Sequence, residues 1–270
     1  MKYPTAPGTR IKQANSIKVD YSNINEGYVM IKNDGDRSKQ YRLRVERAGV
    51  YQHFTVQTDG IIKAFPLCFG NGKYIISVLK QIQGTSYCIV LTFEVEVKLS
   101  SEFAPYLYPN TYSNYRVTSK CVLKANEICR GMYSDVERIR VINNWIITNI
   151  EYDYNLVAKI NSSDMSWWLP DPDTVIVERK SICWGYASLF AAMCRSQSIP
   201  CRICVGWSGK SQKTYHAWND VYSKVNGDIT GIKIYANKWN RMDVTYMDLN
   251  RNNGWIYVSD DSNYKADYYG

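Results

Sequence analysis

Two hydrophobic periods divide the chain. From Ser16 to about Leu99, apolar and polar residues alternate in short runs, as in Tyr41-Arg-Leu43-Arg-Val45-Glu and Val90-Leu-Thr-Phe93-Glu-Val95-Glu-Val97. A period of two sends successive side chains to opposite faces of a strand. Turn sequences punctuate these runs: Asn33-Asp-Gly35-Asp, Thr58-Asp-Gly60, Phe69-Gly-Asn-Gly72 and Gln83-Gly84. The pattern predicts an all-β sandwich of about six to eight antiparallel strands over residues 16–100. Residues 1–15 are polar, carry two Pro and read as an extended arm. Residues 101–124 are rich in Pro, Asn, Ser and Tyr and read as a linker and crossover to a second domain, 125–270.

In the second half the period becomes helical. Lys120 to about Met132 fits one helix. Ser134-Asp-Val-Glu137 is a capping box that opens a second. Ile139, Ile142, Ile146 and Ile150 then recur on one face, with Trp145 beside them. Asn149-Ile-Glu-Tyr152-Asp-Tyr154 ends that helix, and residues 161–174, with Trp167, Trp168, Pro170 and Pro172, read as a loop. Lys180 to Arg195 begins polar and becomes small and apolar, as expected of a helix packed on all sides, with Cys183 at its start. Ser198-Ile-Pro200 stops it. Cys201–Trp207, Tyr215–Tyr222, Ile229–Tyr235 and Lys238–Val244 read as antiparallel strands. The fold class is therefore α+β, a sandwich followed by a helix-on-sheet domain.

Composition narrows the function classes. The hydrophobic fraction of 45% supplies a real core across 270 residues, which excludes wholesale disorder. No apolar run is long enough for a membrane span. The opening MKYPTAPGTR has no apolar segment, so a secretory signal is not expected. Net charge is +8, and its excess sits early: the first hundred residues hold fourteen Lys and Arg against eight Asp and Glu. Such an excess suits an anionic partner or simply a solvated sheet face. No Lys/Arg run is dense enough to predict a nucleic-acid site. The 23 Tyr suit half-buried strands and equally a polymer- or peptide-binding surface.

Eight cysteines bear on chemistry. Their spacing is irregular, and the one CxxC, Cys201-Arg-Ile-Cys204, lies within an apolar strand pattern. With no second CxxC and only two His, neither a metal site nor a redox motif is expected. Most of these cysteines fit as small buried hydrophobes. Cys183 differs, because the first turn of a helix offers unpaired N–H groups and a positive dipole end that favour a thiolate. His216 is the one histidine in the second half, and Asp243 follows on another predicted strand. A nucleophile needs a base and the base an orienting group, and Cys183, His216 and Asp243 are candidates for those roles.

The local sequences sharpen this. Cys183-Trp-Gly-Tyr-Ala, Arg195, Ile199-Pro200-Cys-Arg202, His216-Ala-Trp218-Asn and Asp243-Val-Thr245 resemble the transglutaminase-like superfamily of papain-like thiol enzymes, over residues 125–250. The Trp145 helix and Asn149-Ile-Glu-Tyr152-Asp are similar to the segment before the family's nucleophile. The resemblance implies a papain-like core, a helix bearing the nucleophile packed on an antiparallel sheet, here preceded by an Ig-like sandwich. It implies Cys183 as nucleophile, His216 as base then acid, and Asp243 as orienter. The sequence departs where the family often has Gly before the Cys and here reads Ser181-Ile182. A family Trp that supports the oxyanion has no assured match; Trp168 and Tyr152 are candidates, and the Cys183 N–H is another donor. Trp167, Trp168, Trp184, Trp207 and Trp218 are candidates to wall an acyl groove. No cofactor is expected, and the acidic clusters of calcium-dependent members are missing.

The expected function is a cysteine-dependent acyl-transfer enzyme acting on amide or peptide bonds through a thioester. Water as acceptor makes it a protease or amidase; an amine makes it a transglutaminase. The alternative is a non-catalytic binding protein that uses the same fold and the basic sandwich to hold a polymer or protein. Expected partners are a protein or peptide substrate, cell-wall peptide among them, with no nucleic acid. The unpatterned cysteines tilt the compartment slightly towards the cytoplasm, and an exported mature form stays open.

Overall fold

The structure is a computed structural model that describes residues 1–162, 168–209 and 214–270. It divides into two compact units: Tyr3–Pro105, and Met1–Lys2 with Tyr106–Gly270.

The first unit is all β. In chain order it holds β1 (Ile11–Ala14), β2 (Ile17–Asp20), β3 (Tyr28–Asn33), β4 (Tyr41–Arg47), β5 (Val50–Val56), β6 (Lys63–Pro66), β7 (Gly72–Gln83) and β8 (Ser86–Val97). They form two four-stranded antiparallel sheets, ordered β1-β2-β3-β6 and β5-β4-β7-β8. The period of two decides which side chains point inward. On β4, Tyr41, Leu43 and Val45 are buried while Arg42, Arg44 and Glu46 face outward. Phe54 of one sheet meets Phe65 of the other edge-on, with ring centroids 6.0 Å apart. One expectation needs correction here. The stretch read as an arm contains β1, which pairs with β2 from Ile11↔Asp20 to Ala14↔Ile17. Backbone pairing, rather than burial of its side chains, holds this strand: Lys12 and Gln13 are exposed.

The second unit carries α1 (Lys120–Ile128), α2 (Asp135–Asn149), β9 (Glu151–Tyr152), α3 (Tyr154–Ser162), α4 (Pro172–Glu178), β10 (Lys180–Ser181) and α5 (Cys183–Ser196). Then follow β11 (Cys201–Ser208), β12 (Thr214–Ser223), β13 (Gly227–Ile229), β14 (Ile232–Ile234), β15 (Lys238–Met242), α6 (Val244–Leu249), α7 (Gly254–Val258) and β16 (Tyr264–Tyr269). The main sheet is antiparallel, ordered β15-β12-β11-β16. Helix α5 lies against β11 and β12, the helix-on-sheet packing that the resemblance implies.

Local chemistry explains the helices that frame the site. Ser134 Oγ accepts the Glu137 N–H at 3.2 Å and Glu137 Oε2 accepts the Ser134 N–H at 2.9 Å, so the capping box of α2 is formed. Ile139, Ile142 and Ile146 of α2 are fully buried, as is Ile150 just past its end. Asp171 caps α4 through the Thr174 N–H, and Pro172 occupies its first turn, so residues 172–174, like Asn161 and Ser162 at the end of α3, are helical rather than loop. Trp167 lies outside the described residues. The stretch read as one strand over 229–235 is a tight hairpin instead. Thr230 and Gly231 both take positive φ, 52° and 94°, and fold Ile229 onto Ile232. Among the described residues no helix is long and apolar enough to cross a membrane.

Candidate active site

Helix α5 begins at Cys183, with extended Ile182 as its N-cap. The N–H groups of a helix's first turn have no partner within the helix, so the cysteine backbone N–H is not spent inside α5 and stands beside its own sulfur. Gly185, one turn in, is required by packing: a Cβ there would strike the Ser181 side chain and touch Val175. The Ser181-Ile182 pair that departs from the family pattern thus forms the close seat of α5 on β10.

Downstream, α5 is apolar on every side and all of Tyr186–Ser196 is buried. Its charged residue is buried too. Arg195 donates to the carbonyls of Cys201 at 2.8 Å, Tyr108 at 3.1 Å and Gly270 at 2.8 Å. A fully buried guanidinium is tolerable when its N–H groups are spent this way. Asn219 of β12 adds a cross-tie, donating through Nδ2 to Ala187 O at 3.0 Å.

His216 sits on β12 opposite Gly206 of β11. It is buried, and Nε2 lies 2.7 Å from Asp243 Oδ2. That bond assigns the proton to Nε2 and leaves Nδ1 as the other ring nitrogen. The Cys183 side chain is the second hydrogen-bonding neighbour of the ring. Burial pushes the imidazolium down; the Asp243 charge, its hydrogen bond and Cys183 outweigh burial and hold His216 well above its ordinary value.

Asp243 is fully buried. The pattern predicts it inside a strand over 238–244, but β15 ends at Met242 and Asp243 caps α6. Its Oδ1 accepts the Tyr246 N–H at 3.0 Å. Its Oδ2 accepts a second donor besides His216, the Tyr264 hydroxyl at 2.8 Å. A carboxylate with three donors is fixed in orientation.

Aromatic rings enclose this pair. Trp218 stacks at 6.2 Å from the His216 ring and Tyr246 meets it edge-on at 5.7 Å. Tyr257 stacks on Tyr246 at 3.9 Å, and Tyr264 packs on Trp218 at 5.0 Å. These rings exclude water from the imidazole and its carboxylate.

The remaining candidates sort by position. Tyr152 is half-buried near the cysteine; burial first, then the Cys183 charge, push its phenol up to about 12. Trp168 and Trp184 are half-buried and meet edge-on at 6.3 Å. Trp218 is only 3% exposed and belongs to the core with Cys204 and Tyr264, so it backs His216 and does not wall an open groove. Trp207 is exposed, against Tyr215. The cysteines of the CxxC alternate across β11 and both are buried. Tyr264 and the Tyr246 N–H were beyond reach of sequence reasoning. The period-two pattern of Tyr264-Lys-Ala-Asp-Tyr-Tyr marks a strand but says nothing of a hydroxyl aimed at Asp243.

Residues 124–258 match the family model described as Transglutaminase-like superfamily. Kyphoscoliosis peptidase of Homo sapiens is 32% identical over 118 residues, 40% of this chain and 17% of that protein. This chain therefore matches less than a fifth of that relative's length. Among solved structures, a candidate cysteine protease from Cytophaga hutchinsonii is 16% identical with a TM-score of 0.42, covering 87% of this chain and 79% of its own. The periplasmic domain of TgpA from Pseudomonas aeruginosa is 11% identical with a TM-score of 0.39, covering 93% and 98%.

Proposed function

The chain belongs to the transglutaminase-like superfamily, and on that premise we propose that it is a thiol peptidase or amidase with Cys183 as nucleophile, His216 as base and acid, and Asp243 as orienter. One observation carries the reading: His216 stands between the cysteine at the start of α5 and a buried carboxylate 2.7 Å from its Nε2.

The chemistry follows from these positions. Cys183 Sγ attacks an amide carbonyl carbon, and the oxygen gathers charge. The Cys183 N–H is a built-in donor for that oxygen, with Tyr152 or Trp168 as candidates for a second. His216 Nδ1–H then gives its proton to the departing nitrogen, the C–N bond breaks and a thioester remains. Water attacks the thioester, His216 takes its proton, and the sulfur leaves with the acid product released. Throughout, Asp243 keeps the ring in one tautomer and stabilises the imidazolium. An amine in place of water would give transamidation by the same steps. The name of the relative, a peptidase, favours water. Its identity with this chain spans only part of either protein, so the substrate stays at the level of a peptide or protein amide.

Incubation with a mixed peptide library, with and without a labelled primary amine, tests this. Mass spectrometry should find new cleavage products that Cys183→Ala does not make. Amine-bearing products in their place would move the reading to a transglutaminase, and products unchanged in Cys183→Ala would refute it.

A further inference from the structure

Asp243 is bonded unevenly. Its Oδ1 has one donor, the Tyr246 N–H, whereas Oδ2 is shared between His216 Nε2 at 2.7 Å and the Tyr264 hydroxyl at 2.8 Å. Both bonds draw on the same oxygen's charge. Tyr264 comes from β16, the far edge of the sheet from β15. Its strand is held against β11 across a register shift at Gly206, where a Cβ would strike the backbone of Lys265, Asp267 and Ala266.

From this geometry we propose that Tyr264 is a positioning residue that acts on His216 through Asp243, holding the carboxylate in plane and withholding part of its charge from the imidazole. The proposal rests on the Cys183–His216–Asp243 reading and adds a fourth member to it.

Three features support a tuning role. Tyr264 is a committed donor, since burial and then the Asp243 charge keep its phenol protonated far above neutral pH. Its ring is clamped by Trp218 at 5.0 Å and Tyr257 at 5.6 Å, and the Arg241 guanidinium lies 4.4 Å from its centroid. A cation on the ring polarises the hydroxyl and strengthens the donor. A carboxylate oxygen satisfied twice stabilises an adjacent imidazolium less than one satisfied once.

Other groups around the imidazole also enter its titration. Cys183 faces it from α5, Tyr152 from β9 through the cysteine, Tyr246 from α6, Tyr257 from α7 and Arg241 from β15. The test must therefore change the Tyr264 oxygen and leave the rest in place.

The chain holds only two histidines, His53 and His216, so imidazole signals of the labelled full chain separate cleanly. His53 lies in the other unit and serves as an internal reference. In Tyr264→Phe the His216 midpoint should rise by about 0.5 pH unit or more, with His53 unmoved. The alkaline limb of kcat/KM should move the same way, with the change in kcat rather than KM. A 3-fluorotyrosine placed at position 264 alone keeps the ring and strengthens the donor, so it should move the His216 midpoint down. Should Tyr264→Phe fail to fold, that second protein decides by itself. A His216 midpoint unchanged, or moved in the opposite direction, would overturn the proposal. The midpoint is read without turnover, so failure of the triad reading and failure of this one register separately.

Discussion

At the scale of single residues, the decisive balance is at His216. A buried imidazolium is costly, yet the Asp243 charge and the Cys183 contact hold it well above its ordinary 6.5. Two pH consequences follow. Folding stability from this proton is full below about 6.5 and fades as pH climbs through the raised value. Activity that needs the imidazolium should likewise persist above neutral pH and fall on the alkaline side. Asp243→Asn leaves burial in command, so the alkaline limb of kcat/KM should shift to lower pH. If Asp243 acts through His216 as proposed, the kcat of Asp243→Asn should remain roughly a hundredfold above that of Cys183→Ala. A pH–rate profile over pH 5 to 10 checks both. An alkaline limb that stays in place would contradict the assignment of the shift to Asp243. That these three residues would be grouped was legible from the short blocks that resemble the transglutaminase-like superfamily, and not from their spacing alone. Tyr264 was not. A hydroxyl 21 positions from its acceptor follows no spacing rule, and only the closed sheet brings the two together.

At the scale of elements, the site depends on α5 keeping its place on β11 and β12. Arg195 and Asn219 make that attachment polar as well as apolar. Arg195→Leu would leave the carbonyls of Cys201, Tyr108 and Gly270 without their buried donor. The expected cost is about 3 kcal/mol, read as a lower urea midpoint by tryptophan fluorescence. A cost below about 1 kcal/mol would mean that water or neighbouring N–H groups take over. Helix α5 and strands β11 and β12 were readable because their apolar runs are long and end in clear stop signals. The β13–β14 hairpin was not, since Ile229, Ile232 and Ile234 read as one strand and the turn is made by Thr230, a residue that rarely takes positive φ. The end of β15 was hidden for a related reason: Asp243 in strand-like surroundings gives no sign that its carboxylate will cap α6.

At the scale of the molecule, the switch in hydrophobic period located the change from all-β to α+β structure. The sandwich strands were legible because one face of each must be buried; β1 was not, since its central residues are exposed and pairing alone makes it a strand. All groups of the candidate site lie within Tyr106–Gly270. Residues 106–270 expressed alone should therefore remain soluble and keep the reactivity of Cys183. A soluble fragment with an inert Cys183 would contradict that division of labour. The most direct test of the central claim uses the full chain. A brief iodoacetamide pulse across pH 5 to 9, followed by intact mass, counts fast thiols in wild type, Cys183→Ala and His216→Ala. Cys88 is exposed and provides an accessible thiol for comparison. The account predicts one fast adduct at pH 6, lost in Cys183→Ala and slowed in His216→Ala. Equal labelling of Cys183 in wild type and His216→Ala would contradict it.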